Sequence, residues 1–449
     1  VPREPDPADE ARGAGEPFDD GTYVLRRFAP GLPGEPGHAA TRDWLRAVGA
    51  GFYDKARDDA YLDAVAAMYA ADERELTGVY ARGPVPPGTL GEHIPVATFA
   101  TLRKTLNAGF GRLVPAHLIT AVTVRTSHRR RGLLRRLMSA DLARAKAGGV
   151  PIAALTASEG SIYRRFGFGV ATSERSVTVD TTRRFALSAA PEGRVEAADP
   201  AVLLDLGPRI FARVHRLTPG SIDRHDWYRL AAAGRFSHDG GPDTAIRAAL
   251  HLRADGQADG YVAYSFRGWD AKPYTVEVKD LVAATHAAYL GLWEFLGSLD
   301  LVERVVWREA PADDPLVWAL EDPRCVGAKA AQDMLWLRIL DVEAALSARA
   351  YDADGGLVLT VTDPLSLASG TYRLTVDDGA ARVERLAPGD AAGADARLDV
   401  ADLSSVYCGG VSPVTLAAAG RFTELRPGAA LEAMRLFAVE RPAHCLTHF

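Results

Sequence analysis

Along the first third of the chain, apolar residues change period several times. Tyr23-Val24-Leu25-Arg26-Arg27-Phe28 alternates, which predicts a strand where order begins, and apolar residues at helical spacing predict helices over 44–57 and 58–71. Strands are predicted over 75–80, 94–102 and 113–124, linked by turns rich in proline and glycine. Leu133, Leu134, Leu137, Met138 and Leu142 share one face of a helix over 130–147, which Gly148-Gly149 stops. The almost wholly apolar run 151–157 predicts a strand buried on both faces. A short helix over 162–166 and a strand over 168–179 follow.

A second rhythm begins near Arg194, with strands over 261–267 and 274–283, a helix over 285–299 capped by Thr285, and strands over 302–308 and 334–341. A strand–strand–helix–strand unit thus occurs twice, as a repeat of pattern rather than of residues. The last hundred residues differ. Strands over 357–362, 371–376, 381–386 and 396–400 form a meander with a hairpin turn at Asp377-Asp378-Gly379, and helices over 401–407, 413–419 and 429–438 follow.

Composition narrows the class. A chain of 449 residues is long enough for two to four domains of about 150 residues. With 52 basic and 58 acidic residues the net charge is -6, which argues against nucleic acid as the main partner. No apolar run is long enough to span a membrane, and no basic-then-apolar signal segment opens the sequence. Three cysteines, Cys325, Cys408 and Cys445, exclude a disulfide framework and a four-cysteine zinc site, and point to a reducing cytoplasm. Residues 1–20, with seven acids and four prolines, read as a disordered acidic leader.

The chemistry concentrates where the strand over 113–124 meets its helix. Five of the eight residues from Arg129 to Arg136 are arginine. Cations at a helix N-terminus oppose the helix dipole, so they belong there when an anion is present. Open backbone amides, the dipole and a glycine that permits close approach make a cradle for a pyrophosphate. The plainer alternative is an arginine-rich solvated helix face.

Arg129-x-x-Gly132, after an apolar strand and opening an amphipathic helix, resembles the acetyl-CoA signature of the GCN5-related N-acetyltransferases (GNAT), with Leu134 where that family often has Gly or Ala. The run Ala157-Ser158-Glu159-Gly160-Ser161-Ile162-Tyr163-Arg164-Arg165-Phe166-Gly167-Phe168-Gly169 resembles, more narrowly, the enhanced-intracellular-survival acetyltransferases of actinobacteria. That resemblance implies an α/β and α+β multidomain chain. Two tandem GNAT-like mixed-sheet domains, over 21–190 and 191–345, are followed by a sterol-carrier-protein-like α+β domain over 346–449. The second domain lacks the cofactor motif, since its helix opens Thr285-His286-Ala287.

The resemblance also implies site residues. Val122, Thr123 and Val124 pair with the pantetheine arm of acetyl-CoA and polarise the thioester carbonyl. Arg129, Arg130, Arg131, Gly132, Leu133, Leu134 and Arg135 wrap the pyrophosphate, and Ser158 and Glu159 also touch the cofactor. Tyr163 is the expected general acid, since a phenol near pKa ~10 is neutral at pH 7 and can protonate a departing thiolate. The expected base is the carboxylate of Phe449, ionised above about 3.3–3.7. The bland alternatives are a packed aromatic and a frayed terminus.

The implied activity is direct acetyl transfer to primary amines of aminoglycosides, in a homohexamer, without a metal. His444-Cys445-x-x-His448 lacks an evident third metal ligand. Seven acids against three bases over 51–80 could form an acidic pocket wall or an ordinary solvated face. The rival readings are a protein-lysine acetyltransferase, a non-catalytic coenzyme A- or lipid-binding module, and a thioesterase using Cys445 and His448.

Overall fold

A computed structural model describes residues 19–182, 184–270, 272–387 and 393–449. Apart from Asp19 and Asp20, the expected acidic leader lies outside the described residues. The repeat is present: Ala97–Asn107, Leu113–Val124, Leu133–Ala147 and Ile152–Thr156 form one strand–strand–helix–strand unit, and Ala258–Phe266, Thr275–Ala283, His286–Gly297 and Arg304–Pro311 form the other. In each unit the middle strand pairs antiparallel with the first and parallel with the last.

The sheets exchange strands. Ser173–Asp180 lies in the second sheet, against Arg304–Pro311, whereas Leu335–Ile339 lies in the first, between Ile152–Thr156 and Gly169–Val170. Two sequence readings are corrected here. The strand over 168–179 is two strands in two sheets, and the strand over 334–341 does not belong to the second sheet. All five residues of Leu335–Ile339 are buried, Arg338 included, so the largely apolar segment marked a central strand but could not say of which sheet.

Two helix starts also move, for backbone reasons. The helix expected over 44–57 is His38–Gly51; it begins after Gly37 at φ 89° and stops before Tyr53 at φ 61°. The helix expected from Arg130 begins at Leu133, because Arg130 and Gly132 sit at φ 61° and 77°, values that no right-handed helix admits. Asp58 caps Asp59–Ala71 and Thr285 caps His286–Gly297, each accepting from a backbone amide of the first turn.

The third unit packs the five-stranded sheet Ala380–Leu386, Gly370–Asp377, Gly355–Thr362, Ala396–Asp399 and Phe422–Glu424 against its helices. The short edge strand Phe422–Glu424 was not foreseen. Asp378 and Gly379 both have positive φ, as the tight hairpin at Asp377-Asp378-Gly379 requires. The core of this unit is continuous with the back of the first sheet: Leu118, Ile152 and Leu335 share one apolar cluster with Leu359, Leu398 and Tyr407. Arg338, on the shared strand, reaches Asp363 at 2.7 Å with both side chains fully buried. Buried Arg349 donates to the carbonyls of Tyr407, Leu436, Phe437 and Ala438, and so fixes where the last helix releases the tail.

Removing one partner of a buried ion pair strands the other charge, which costs about 3–5 kcal/mol. Asp363→Ala is therefore expected to lower denaturant stability by about that amount, while the double variant Arg338→Met, Asp363→Leu recovers most of it. Guanidinium unfolding curves measure both.

Candidate active site

The parallel pairing of Leu113–Val124 with Ile152–Thr156 covers only Ala116–Leu118 against Ile152–Ala154. Beyond that point the two strands part. Opposite the strand 97–107 the register shifts between Thr98 and Ala100, and Ala121 there takes φ 51°. Past this bulge Thr123 and Val124 pair again with Thr98 and Ala97, while the edge of Val122, Thr123 and Val124 toward Ile152–Thr156 stays open. Thr98 Oγ1 pins it by contacts to the Ala121 carbonyl at 2.8 Å and Thr123 Oγ1 at 2.6 Å.

A cavity of about 1370 Å³ opens at the parted ends. Val122, Thr123, Val124, Arg129, Arg130, Gly132, Leu133, Leu134, Arg135, Ser158, Glu159 and Tyr163 line it, which brings together every expected site residue except Arg131 and Phe449. Arg131 is turned aside, donating to Tyr23 Oη at 2.9 Å and to the Ser127 carbonyl at 3.1 Å.

Among the described residues, no carboxylate pairs with Arg129, Arg130 or Arg135. Gly132 caps the helix without a side-chain hydrogen bond, so the first-turn amides stay open beside three guanidinium groups. That donor set fits a diphosphate. The second unit lacks the set: Thr285 Oγ1 already accepts from the Ala288 amide, and no arginine stands at that helix start.

Tyr163 is 6% exposed and packs edge-on against Phe168 with centroids 6.2 Å apart. Burial, with a smaller push from Glu159, raises its pKa, so the phenol stays protonated through neutral pH. No described residue accepts a hydrogen bond from its hydroxyl, which leaves the proton available to the cavity.

Phe449 is placed elsewhere. The tail crosses to a second cavity of about 910 Å³ and is bonded at nearly every step. The His444 amide donates to the Pro219 carbonyl at 2.9 Å, Thr447 Oγ1 to the Ile222 carbonyl at 2.8 Å, and the His448 amide to Tyr228 Oη at 2.7 Å. His225 Nε2 meets the His448 carbonyl at 2.8 Å, and Thr156 Oγ1 donates to a main-chain oxygen of Phe449 at 2.7 Å. Thr120 and Thr156 line this second cavity, whereas Val122, Thr123 and Ser158 line the first, and the two share no lining residue. The same two parted strands thus border both.

The second unit supplies the far wall, with Asp280, Arg308 and Glu309 among its residues. Asp280 is engaged by Arg224 at 2.7 and 2.8 Å and by Tyr261 Oη at 2.6 Å. The Glu309 side-chain carboxylate accepts no hydrogen bond from any described residue. Burial, helped by the charges of Asp280 and Glu174, pushes its carboxyl up to about 7 against the pull of His448 and Arg224. His448 Nε2 meets Glu174 at 3.1 Å; burial opposes its charged form, but Glu174 and Glu309 outweigh that and raise its pKa.

His444, Cys445 and His448 do not converge: His444 is buried with no partner for either ring nitrogen, and Cys445 Sγ reaches the Thr447 carbonyl. Among the described residues, no group of three or more His, Cys, Asp or Glu is placed to hold a metal ion. No helix among them is long and apolar enough to cross a membrane.

Residues 39–171 and 220–339 each match an acetyltransferase (GNAT) domain family, and residues 342–446 match a sterol carrier protein domain family. The N-acetyltransferase Eis of Mycobacterium tuberculosis is 37% identical over 353 residues, which is 76% of this chain and 82% of that protein. The chain belongs to the Eis family of GNAT N-acetyltransferases. An N-acetyltransferase of Streptomyces avermitilis is 38% identical over 87% of this chain and 92% of its own length. The crystal structure of Eis1 from Mycobacterium abscessus superimposes with a TM-score of 0.76 at 28% identity, covering 95% of this chain and all of that one. A GCN5-related N-acetyltransferase from Anabaena variabilis shares the fold, with a TM-score of 0.75 at 20% identity. This Eis-family chain therefore has two GNAT domains and a sterol-carrier-like domain, and it is an N-acetyltransferase that uses acetyl-CoA.

Sequence reasoning missed Thr156, His225, Tyr228 and Glu309. Thr156 could have been found as the residue just before the Ala157–Gly169 run. The others lie far off in sequence, and only the fold brings them to the tail.

Arg130→Ala is expected to weaken coenzyme A binding by about 10- to 100-fold, the worth of one hydrogen bond to a charged group. Arg131→Ala should weaken it less, because that guanidinium is committed to Tyr23 and Ser127. Titration calorimetry at fixed salt compares the two.

Proposed function

We propose that the enzyme carries acetyl directly from acetyl-CoA, held in the larger cavity, to a primary amine held in the smaller one. The observation that carries this reading is the position of the two cavities on one pair of parting strands: unpaired arginines border the first, and carboxylates border the second. Acetyl-CoA supplies an activated thioester. Arg129, Arg130 and Arg135, with the open amides after Gly132, hold its diphosphate. Val122 to Val124 present backbone amides to the thioester carbonyl, where charge develops as the amine attacks. Tyr163 gives its proton to the departing thiolate. The Phe449 carboxylate, oriented by Thr156, is the base: it takes the proton that the amine loses, directly or through water.

The acceptor we propose is an aminoglycoside, acetylated at more than one amine, and the assembly a homohexamer. Both rest on the family resemblance. An acidic acceptor cavity containing Glu309, Asp243 and Phe449 supports the first. A thiol-release screen with acetyl-CoA against aminoglycosides, simple alkylamines and lysine peptides, with mass spectrometry of the products, tests the acceptor. Faster turnover of lysine peptides would move the assignment to protein acetylation.

Tyr163→Phe is expected to cut kcat by about 10²-fold or more while leaving coenzyme A affinity unchanged, as removal of a general acid does. Deleting Phe449 and adding residues after it should both depress turnover, because each displaces the carboxylate from Thr156. Full activity in the extended protein removes Phe449 from the mechanism.

A further inference from the structure

The end of the chain lies along one stretch of the second GNAT domain, residues 219–228, which runs into the helix Asp226–Ala232. The first domain holds that stretch in place. Asn107 exchanges backbone hydrogen bonds with Gly220 and Ser221 at 2.8 and 2.9 Å, and the Asp223 amide donates to the Thr105 carbonyl at 3.0 Å. Lys104 Nζ donates to the Arg224 carbonyl at 3.0 Å. The stretch in turn bonds the tail at every third residue: Pro219, Ile222, His225 and Tyr228.

The last two of these bonds act on the two peptide groups that flank the His448 Cα. The amide before it donates to Tyr228 Oη at 2.7 Å, and the carbonyl after it accepts from His225 Nε2 at 2.8 Å. Peptide groups are planar, so holding both fixes the two soft torsions of His448 and the direction in which Phe449 leaves. Thr156 of the first domain then meets a main-chain oxygen of Phe449 at 2.7 Å.

The two clamping side chains are themselves braced. The Arg224 guanidinium lies 4.2 Å from the Tyr228 ring and 4.2 Å from that of Phe211, and Asp280 ties it at 2.7 and 2.8 Å. His225 packs edge-on against Tyr228 with centroids 5.1 Å apart. Burial, with the charge of Arg74, pushes the His225 pKa down to about 4, so its ring is neutral at pH 7 and carries one proton. Donation to the His448 carbonyl places that proton on Nε2. The other ring nitrogen, buried without a partner, is bare.

We propose that His225 and Tyr228 are positioning residues for acetyl transfer: by holding both peptide groups of His448 they aim the Phe449 carboxylate at the acceptor amine. A chain end ordinarily frays, and a base displaced by about 1 Å can lose about 10²-fold in rate. The second GNAT domain, which has no diphosphate seat, thereby takes part in the reaction as the clamp of the base. The proposal rests on the reading of Phe449 as the base in the smaller cavity.

The test measures kcat, as thiol release from acetyl-CoA with the amine that wild type turns over fastest, for Tyr228→Phe, His225→Ala and His225→Gln. Each is made in the unextended chain and in a chain with two glycines added after Phe449. The extension keeps both His448 peptide groups but turns the Phe449 carboxylate into an amide. In the unextended chain, Tyr228→Phe and His225→Ala should each lower kcat about tenfold, the worth of one hydrogen bond, with coenzyme A affinity by calorimetry unchanged. His225→Gln, whose side-chain N–H can replace that of Nε2, should recover the rate to within about threefold. In the extended chain the same substitutions should change kcat by less than about twofold, because residues that act through one another are not additive. Equal losses in both chains overturn the proposal, since a structural role is blind to the terminal carboxylate. Wild-type rates for Tyr228→Phe and His225→Ala, or no recovery with glutamine, overturn it as well. If the extended chain releases no measurable thiol, the glutamine variant decides alone. Full turnover by the unsubstituted extended chain would instead overturn the reading of Phe449 as the base.

Discussion

Everything in the site follows from one constraint: a parallel strand pair that stops pairing early. After Leu118 and Ala154 the two strands separate, and their backbone groups no longer satisfy each other. Buried amides and carbonyls left in that state need partners. The bulge at Ala121, held by Thr98, keeps the strand end turned outward rather than letting it zip back onto its neighbour. The gap opens onto a separate cavity on each side. The turn carrying Arg130 and Gly132 at positive φ then delays the helix until Leu133, which points the open first-turn amides and the unpaired guanidinium groups at the same space.

The duplicated domain shows how one architecture is used twice for different ends. In the first copy the helix start is bare and cationic; in the second a threonine closes it and the arginines are gone. With no diphosphate to bind, the second copy contributes its strand ends as a wall. The sterol-carrier-like domain is bound to the first sheet through a shared apolar core and the Arg338–Asp363 pair, and Arg349 sets the direction in which its tail leaves. The smaller cavity is therefore lined by both GNAT domains and by the C-terminal tail.

Much of this was legible in the sequence because it is local. The Arg129–Arg136 run, the Ala157–Gly169 run and the alternation of apolar residues each report on a few neighbouring positions, and they located the larger cavity and the repeat. What was not legible is long-range. Strand-like patterns at 168–179 and 335–339 say that a strand forms, not which sheet receives it, so the strand exchange could not be read. Glu309 sits in an unremarkable strand sequence, and its enclosure arises from Glu174, Asp280 and His448, which are brought to it by the fold. The helix start at Leu133 was misread because helical periodicity is blind to the φ of Arg130.

The most direct measurement is a crystal structure of the enzyme with coenzyme A and a poorly reactive amine bound together. The parted strands require the diphosphate at Arg129, Arg130 and Arg135, the thiol between Val122 and Tyr163, and the amine nitrogen in the smaller cavity, within about 3 Å of a carboxylate there. Both ligands entering through the larger cavity, or the diphosphate lying away from the arginine turn, would contradict transfer across the strand gap.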